Sequence, residues 1–204
     1  MSAGQAKFIA MHSAWEVYEP VALPGEERAA APPSAERVVS AFQQELSRFI
    51  NREIYPQVAS LEKEITESGG NKALRNRLGV VYARYGLLDE AERVFRQTVS
   101  SGEFVPALVN LGNIYYMREQ WEQALDFYQR AYRKAPSAPD VLLAVARAHY
   151  QLEHYGVARS TYTRLKESDP KLAERYAYLD QGGEARVRAA DVARTEGLVE
   201  WSDE

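Results

Sequence analysis

Residues 105–138 read Val-Pro-Ala-Leu-Val-Asn-Leu-Gly-Asn-Ile-Tyr-Tyr-Met-Arg-Glu-Gln-Trp-Glu-Gln-Ala-Leu-Asp-Phe-Tyr-Gln-Arg-Ala-Tyr-Arg-Lys-Ala-Pro-Ser-Ala. Within them Leu108, Leu111, Gly112 and Tyr115 fall at i, i+3, i+4 and i+7, the stripe of a helix with one packing face. After a turn at Arg118–Gln120, Ala124, Tyr128 and Ala131 mark the packing face of a second helix. The same arrangement stands on both sides. Leu78-Gly79-x-x-Tyr82 precedes Leu111-Gly112-x-x-Tyr115, and Val145-Ala146-x-x-His149 follows it more loosely. Ala91, Ala124 and Ala158 are each followed four residues later by an aromatic, Phe95, Tyr128 and Tyr162. Pro136 and Pro170 close the second and third copies, where Glu103 stands in the first. The steps are 33 residues (91 to 124) and 34 residues (124 to 158), a fixed period that signals a repeat array.

The pattern resembles the tetratricopeptide repeat, with its Leu-Gly-x-x-Tyr, small Ala, aromatic and closing Pro. Three copies run over about 72–104, 105–138 and 139–172. The departures are Arg75 in a bulky apolar position, Thr98 in a small column, Ala146 in the Gly column and His149 in the Tyr column. The resemblance implies an all-α fold, a right-handed α-solenoid of antiparallel helix pairs closed by capping helices. Small residues let helix backbones approach, and the aromatics fill the space between successive pairs.

Punctuation sets the boundaries. Asn71, after Gly69-Gly70, is placed to cap the first helix, and Ser137-x-x-Asp140 has the spacing of a capping box. Asp169-Pro170 reads as a cap followed by a first-turn proline. Upstream, Val38, Val39, Phe42, Leu46, Phe49, Ile50 and Ile54 recur at three- and four-residue spacing, Pro56 interrupts, and Val58, Leu61 and Ile65 resume. We expect an N-terminal helix pair over 34–70, the array over 71–180 and a covering helix at 170–180, since repeats bury their faces only against neighbours. Residues 1–33 are expected as an extended segment docked through Phe8, Ile9, Trp15 and Tyr18. Residues 181–204 form an acidic tail, with a short charged helix expected at 184–194.

Composition excludes more than it suggests. Among 204 residues there is no Cys, so disulfides, Cys-bound zinc, iron–sulfur clusters and thiol nucleophiles are ruled out. The net charge of −4 leaves no cationic surplus for a phosphate backbone, and no nucleic-acid partner is expected. No apolar run approaches the length of a membrane span, and Met1–Lys7 has no secretory pattern. Cysteine absence fits a bacterial cytoplasm or an exported space alike, and the cytoplasm is the expectation. The histidines are His12, His149 and His154, and His149 is expected in the core. No phosphate loop, zinc motif or nucleophile elbow occurs, so neither cofactor nor metal nor enzyme activity is expected.

What remains is a surface. At about 100° per residue, the side of each first helix opposite its packing stripe carries Asn76, Val80 and Arg84 in the first copy. It carries Val109, Asn113, Tyr116 and Met117 in the second, and Leu143, Arg147, Tyr150 and Gln151 in the third. Apolar anchors mixed with hydrogen-bond donors suit a contact surface. In the family this face lines a concave groove that receives peptides or helices, so a protein or peptide partner is implied. The tail offers another occupant. Residues 196–204 hold Glu196, Glu200, Asp203 and Glu204 with no base, beside Leu198, Val199 and Trp201. We expect this segment, or the Trp15 segment, to enter the groove of its own chain or of a neighbour, giving self-association in the second case. A structural or oligomerisation role within a larger protein, such as an envelope assembly, is the alternative.

Overall fold

The computed structural model describes residues 34–180 and 199–202, within two compact units, Met1–Leu46 and Ser47–Glu204. The expected extended segment at 1–33 and the helix at 184–194 lie outside the described residues. Helix α1 (Ala35–Phe49) begins in the first unit, and its Val38, Val39 and Phe42 are exposed.

In the second unit the backbone stays helical past Phe49 through a π-turn (Ile50–Ile54) into α2 (Tyr55–Glu67). The expected helix pair over 34–70 is therefore corrected. Pro56 follows directly on this π-turn, where the Tyr55 N–H already reaches back five residues to the Ile50 carbonyl. The shifted ladder accommodates the missing proline N–H, and the backbone stays helical. Ile54, Val58 and Leu61 bury this helix against Leu78 and Val94.

Three helix pairs follow: α3 (Lys72–Arg84) with α4 (Leu88–Ser100), α5 (Val105–Met117) with α6 (Trp121–Lys134), and α7 (Pro139–Gln151) with α8 (Tyr155–Ser168). Successive pairs meet where α4 packs on α5 and α6 on α7. The first helices also touch in series, α3 to α5 and α5 to α7, so they share one face of a right-handed α-solenoid. The array closes with α9 (Pro170–Arg175) and a 3₁₀ turn (Ala177–Asp180), whose Tyr178 and Leu179 are buried with Tyr176.

Sequence explains the pair geometry. A Cβ on Gly79 would sit 2.4 Å from the Phe95 ring, and one on Gly112 would sit 2.2 Å from the Tyr128 ring. Each glycine is thus the floor on which the partner helix's aromatic rests. The turn inside each pair repeats as well. Gly86, Glu119 and Glu153 all have positive φ (76°, 60° and 60°). Their N–H groups donate to Ala83, Tyr116 and Tyr150, and the next residues' N–H groups donate to the carbonyls of Tyr82, Tyr115 and His149. This is the Schellman pattern three times over, with glycine only in the first copy.

Asn71 caps α3, accepting from the Ala73 N–H at 2.8 Å, and Asp169 caps α9, accepting from Leu172 at 3.0 Å. Each such cap contributes about 1 kcal/mol. The capping box at Ser137–Asp140 does not form. Ala138 is the N-cap of α7 without a side-chain bond, because the helix starts on Pro139. His149 also departs from expectation. It is half-buried at the end of α7, and its Nδ1 lies 3.3 Å from Nδ1 of the exposed His154.

Candidate functional site

Helix α5 is buried along almost its whole length, from Pro106 to Tyr116, yet it carries two asparagines. Buried amides are costly without partners, about 1–3 kcal/mol each. Their partner is the chain's own tail. Asn110 donates to the Ser202 carbonyl at 2.8 Å and accepts the Ser202 N–H at 2.9 Å, so one amide reads both backbone groups. It also donates to Asn76 Oδ1 at 3.0 Å, and Asn76 donates to the same Ser202 carbonyl at 2.7 Å. One turn further along α5, Asn113 donates to the Glu200 carbonyl at 2.9 Å. Asn113 is fixed from behind by the Tyr128 hydroxyl, which donates to its Oδ1 at 2.8 Å. The tail therefore runs antiparallel to α5.

Side chains add sequence-dependent contacts. Trp201 stacks on Phe95 at 6.3 Å between ring centroids and 20° between planes, and packs on the cluster of Val80, Ala83, Leu111 and Ile114. Glu200 pairs with Arg175 of α9 at 2.6 Å, both half-exposed. The Ser202 hydroxyl donates to Asp140 Oδ2 over a long 3.4 Å.

The residues picked from sequence divide. Asn76 and Asn113 bond the tail, and Val80 belongs to the buried cluster on which Trp201 packs. Arg147, 5% exposed, lies over the Tyr116 ring at 4.5 Å and the Tyr176 ring at 5.6 Å. Burial opposes its charge, but Tyr116, Tyr178, Tyr128 and Tyr176 around it outweigh that and raise its pKa. Tyr116 accepts from Gln151 at 3.0 Å and meets Trp121 edge-on. Tyr150 meets Tyr155 and Tyr178 edge-on. Arg147, Tyr116, Gln151 and Tyr150 thus belong to one aromatic-lined cluster with Tyr176 and Tyr178. Val109 and Leu143 are buried in the core clusters between pairs. Met117 is exposed, and Arg84 lines a separate cleft of about 670 Å³ between α2 and α3 with Gln57, Glu64 and Arg77.

Asn110, Phe95, Asp140 and Arg175 were not picked as groove residues from sequence, where Phe95 was read as a packing aromatic and Asp140 as part of a cap. For Asn110 a signal existed, a polar residue flanked by Val109 and Leu111 in the middle of α5. For Arg175 and Phe95 none did, since they come from other helices. Among the described residues no three His, Cys, Asp or Glu side chains cluster to hold a metal, and no helix is long and apolar enough to cross a membrane.

A second polar cluster sits on the other side of α5. Glu92 of α4 accepts from the Tyr115 hydroxyl at 2.7 Å and from Arg118 at 2.5 Å, and pairs with Arg96 at 2.8 Å. Burial alone would raise its pKa, but the bonds from Tyr115, Arg96 and Arg118 prevail and hold it down to about 2. This cluster ties the first pair to the second and faces away from the tail's asparagines.

Comparison with known proteins fits this geometry. The profile of the tetratricopeptide repeat matches residues 105–137. The chain is 35% identical over 74 residues to serine/threonine-protein phosphatase T of Aspergillus oryzae, covering 36% of this chain and 16% of that protein. It is 25% identical over 101 residues to tetratricopeptide repeat protein 8 of Mus musculus, covering 50% and 20%. The chain spans a fifth or less of the length of these curated relatives. A solved tetratricopeptide repeat protein from Parabacteroides merdae superposes with a TM-score of 0.52 at 18% identity, over 78% of this chain and 67% of that one. That likeness concerns the fold alone. The copy at 105–137 thus matches the tetratricopeptide repeat and is one step of a stacked series whose fold is that of a tetratricopeptide repeat solenoid.

Proposed function

We propose that this chain is a non-catalytic interaction module whose groove, walled by α3, α5 and α7, takes a non-helical peptide segment of a protein partner. One observation carries the reading. Asn76, Asn110 and Asn113 hold the carbonyls of residues 200 and 202 and the N–H of 202, contacts that any peptide backbone can make. Backbone capture supplies register, and the neighbouring aromatic and charged side chains supply selectivity.

Selection of a displayed nonapeptide library tests it, using the full chain and an Asn110→Ala/Asn113→Ala chain of matched helicity. Enrichment on the first and its loss on the second is expected. Equal enrichment on both overturns the assignment of the groove. The tail's position favours a second reading, a structural piece of a larger protein whose groove its own terminus closes. On that reading no library peptide is enriched on either chain.

A further inference from the structure

The tail does more than fill the groove; it reports what the groove prefers. Resting on the reading of this face as a peptide site, we infer that Glu200-Trp201-Ser202 is a built-in copy of the partner's recognition element. A partner segment presents an acidic residue, then Trp, then a small hydroxyl residue, and binds by displacing the tail.

Each position is matched to a wall of the groove. The asparagines fix the register through backbone atoms and leave the side chains to discriminate. The Trp201 ring lies on Phe95 in the apolar patch of Val80, Ala83, Leu111 and Ile114, a surface that rewards a large flat aromatic. Arg175 meets the preceding acid. Asp140 faces the following residue and accepts from a hydroxyl, so a carboxylate there would be repelled. The two walls thus ask for opposite things two residues apart. That is a directional signature, and it distinguishes Glu-Trp-Ser from a generally acidic peptide.

Displacement follows from how the tail is held. Among the described residues every hydrogen bond to 200–202 comes from a side chain, and no backbone–backbone bond joins this segment to a helix. The last helical elements are anchored differently, with Tyr176 and Leu179 about 1% or less exposed in the core. The array therefore keeps its closing turn when the tail leaves. Being tethered, the tail competes at an effective concentration on the order of millimolar, which weakens a free segment of similar intrinsic affinity.

The experiment is a titration of a labelled peptide of residues 196–204 against three full-length chains: wild type, Trp201→Ala, and Trp201→Ala with Asn110→Ala. Circular dichroism verifies folding of each. We expect the Trp201→Ala chain to bind the peptide about tenfold tighter than wild type, because its own tail competes poorly. A Trp201→Ala peptide should bind at least about tenfold weaker, and a Ser202→Asp peptide weaker by several-fold. If Trp201→Ala lowers helicity, a Ser202→Asp chain, altered only at the groove surface, takes its place, with tightening of several-fold expected.

Equal binding by the wild-type and tail-weakened chains overturns displacement. A Trp201→Ala peptide that binds as well as the native one overturns the recognition element, while lost binding on adding Asn110→Ala still upholds the groove. Peptide binding that survives Asn110→Ala overturns the groove reading itself. Light scattering completes the set. Wild type stays monomeric across concentrations if the tail serves its own chain, and a dimer that dissolves in the Trp201→Ala chain overturns that occupancy.

Discussion

The position after the Leu-Gly pair holds Asn113 in the second repeat and Arg147 in its counterpart in the third. Around these two residues the repeats have diverged. Asn113 faces the tail, with Tyr128 of its own partner helix bonded behind it and Gly112 making room for that ring. Arg147 lays its charge over the rings of Tyr116 and Tyr176. The Tyr column differs in the same way. Tyr115 joins an ionic cluster with Glu92 and Arg118, whereas His149 meets a second histidine, and burial together with His154 lowers its pKa. One backbone plan thus supports a ligand-facing polar ladder in one repeat and an aromatic cation clamp in the next. Backbone geometry is set by the small columns, and the groove columns are free to vary.

The strongest way to break this contrast is Gly112→Ala. The new Cβ would meet Tyr128 at 2.2 Å, so a cost of about 3 kcal/mol and a Tm lower by about 10 °C are expected. The reverse change in the third repeat, Ala146→Gly, should cost only about 1 kcal/mol. Similar losses at both sites would show that the two repeats pack alike.

Acid should separate the junctions next. Glu92 is held at about 2 against an ordinary 4.5, so its contribution is complete above about pH 4.5 and is lost as pH falls towards 2. Allowing for screening at the half-exposed Arg96, about 2 kcal/mol of stability disappears across that window. Urea unfolding of wild type and Glu92→Gln at pH 7 and pH 3 measures it, and the variant should show the flatter dependence.

Asn113→Ala and Arg147→Ala sharpen the functional side of the comparison. Each should cost about 1–2 kcal/mol, the first by leaving the buried Tyr128 hydroxyl without an acceptor and the second by emptying the space between two rings. Asn113→Ala should also speed amide hydrogen exchange at Ser202, by releasing the Glu200 carbonyl two residues before it. Faster exchange there in Arg147→Ala as well would place Arg147 in the tail site.

The smallest expected effect lies in the turns. Glu119→Gly should stabilise by about 0.5–1 kcal/mol, since φ of 60° suits glycine and the first repeat already has Gly86 there. A Tm that does not rise would show that the Glu119 side chain compensates.

Much of this architecture can be read from the chain. The Leu-Gly-x-x-Tyr spacing, the Ala and aromatic columns and the caps at Asn71 and Asp169 are local rules of helix face and helix end, and they place the three pairs. The Ser137–Asp140 cap misled because Pro139 starts the helix inside the proposed box. The break at Pro56 misled because the π-turn before it shifts the hydrogen-bond ladder and lets the helix run on. For the groove, an angular projection found Asn76, Val80 and Asn113 but passed over Asn110, whose burial becomes acceptable only when Ser202 fills its hydrogen bonds. Val109 and Leu143 were drawn into the same projection, yet the neighbouring pair covers them.

By itself the sequence determined the period, the helix pairs and the glycines that seat Phe95 and Tyr128, because those depend on residues a few positions apart. It also determined that the last residues are acidic and aromatic. Where that segment goes was decided only by the tertiary structure. Asn76, Asn110, Asn113, Asp140 and Arg175 come from four different helices and converge over Glu200–Ser202 only after the pairs have stacked. A helix can be derived from its own spacing, but a site shared among helices exists only once packing has brought them together.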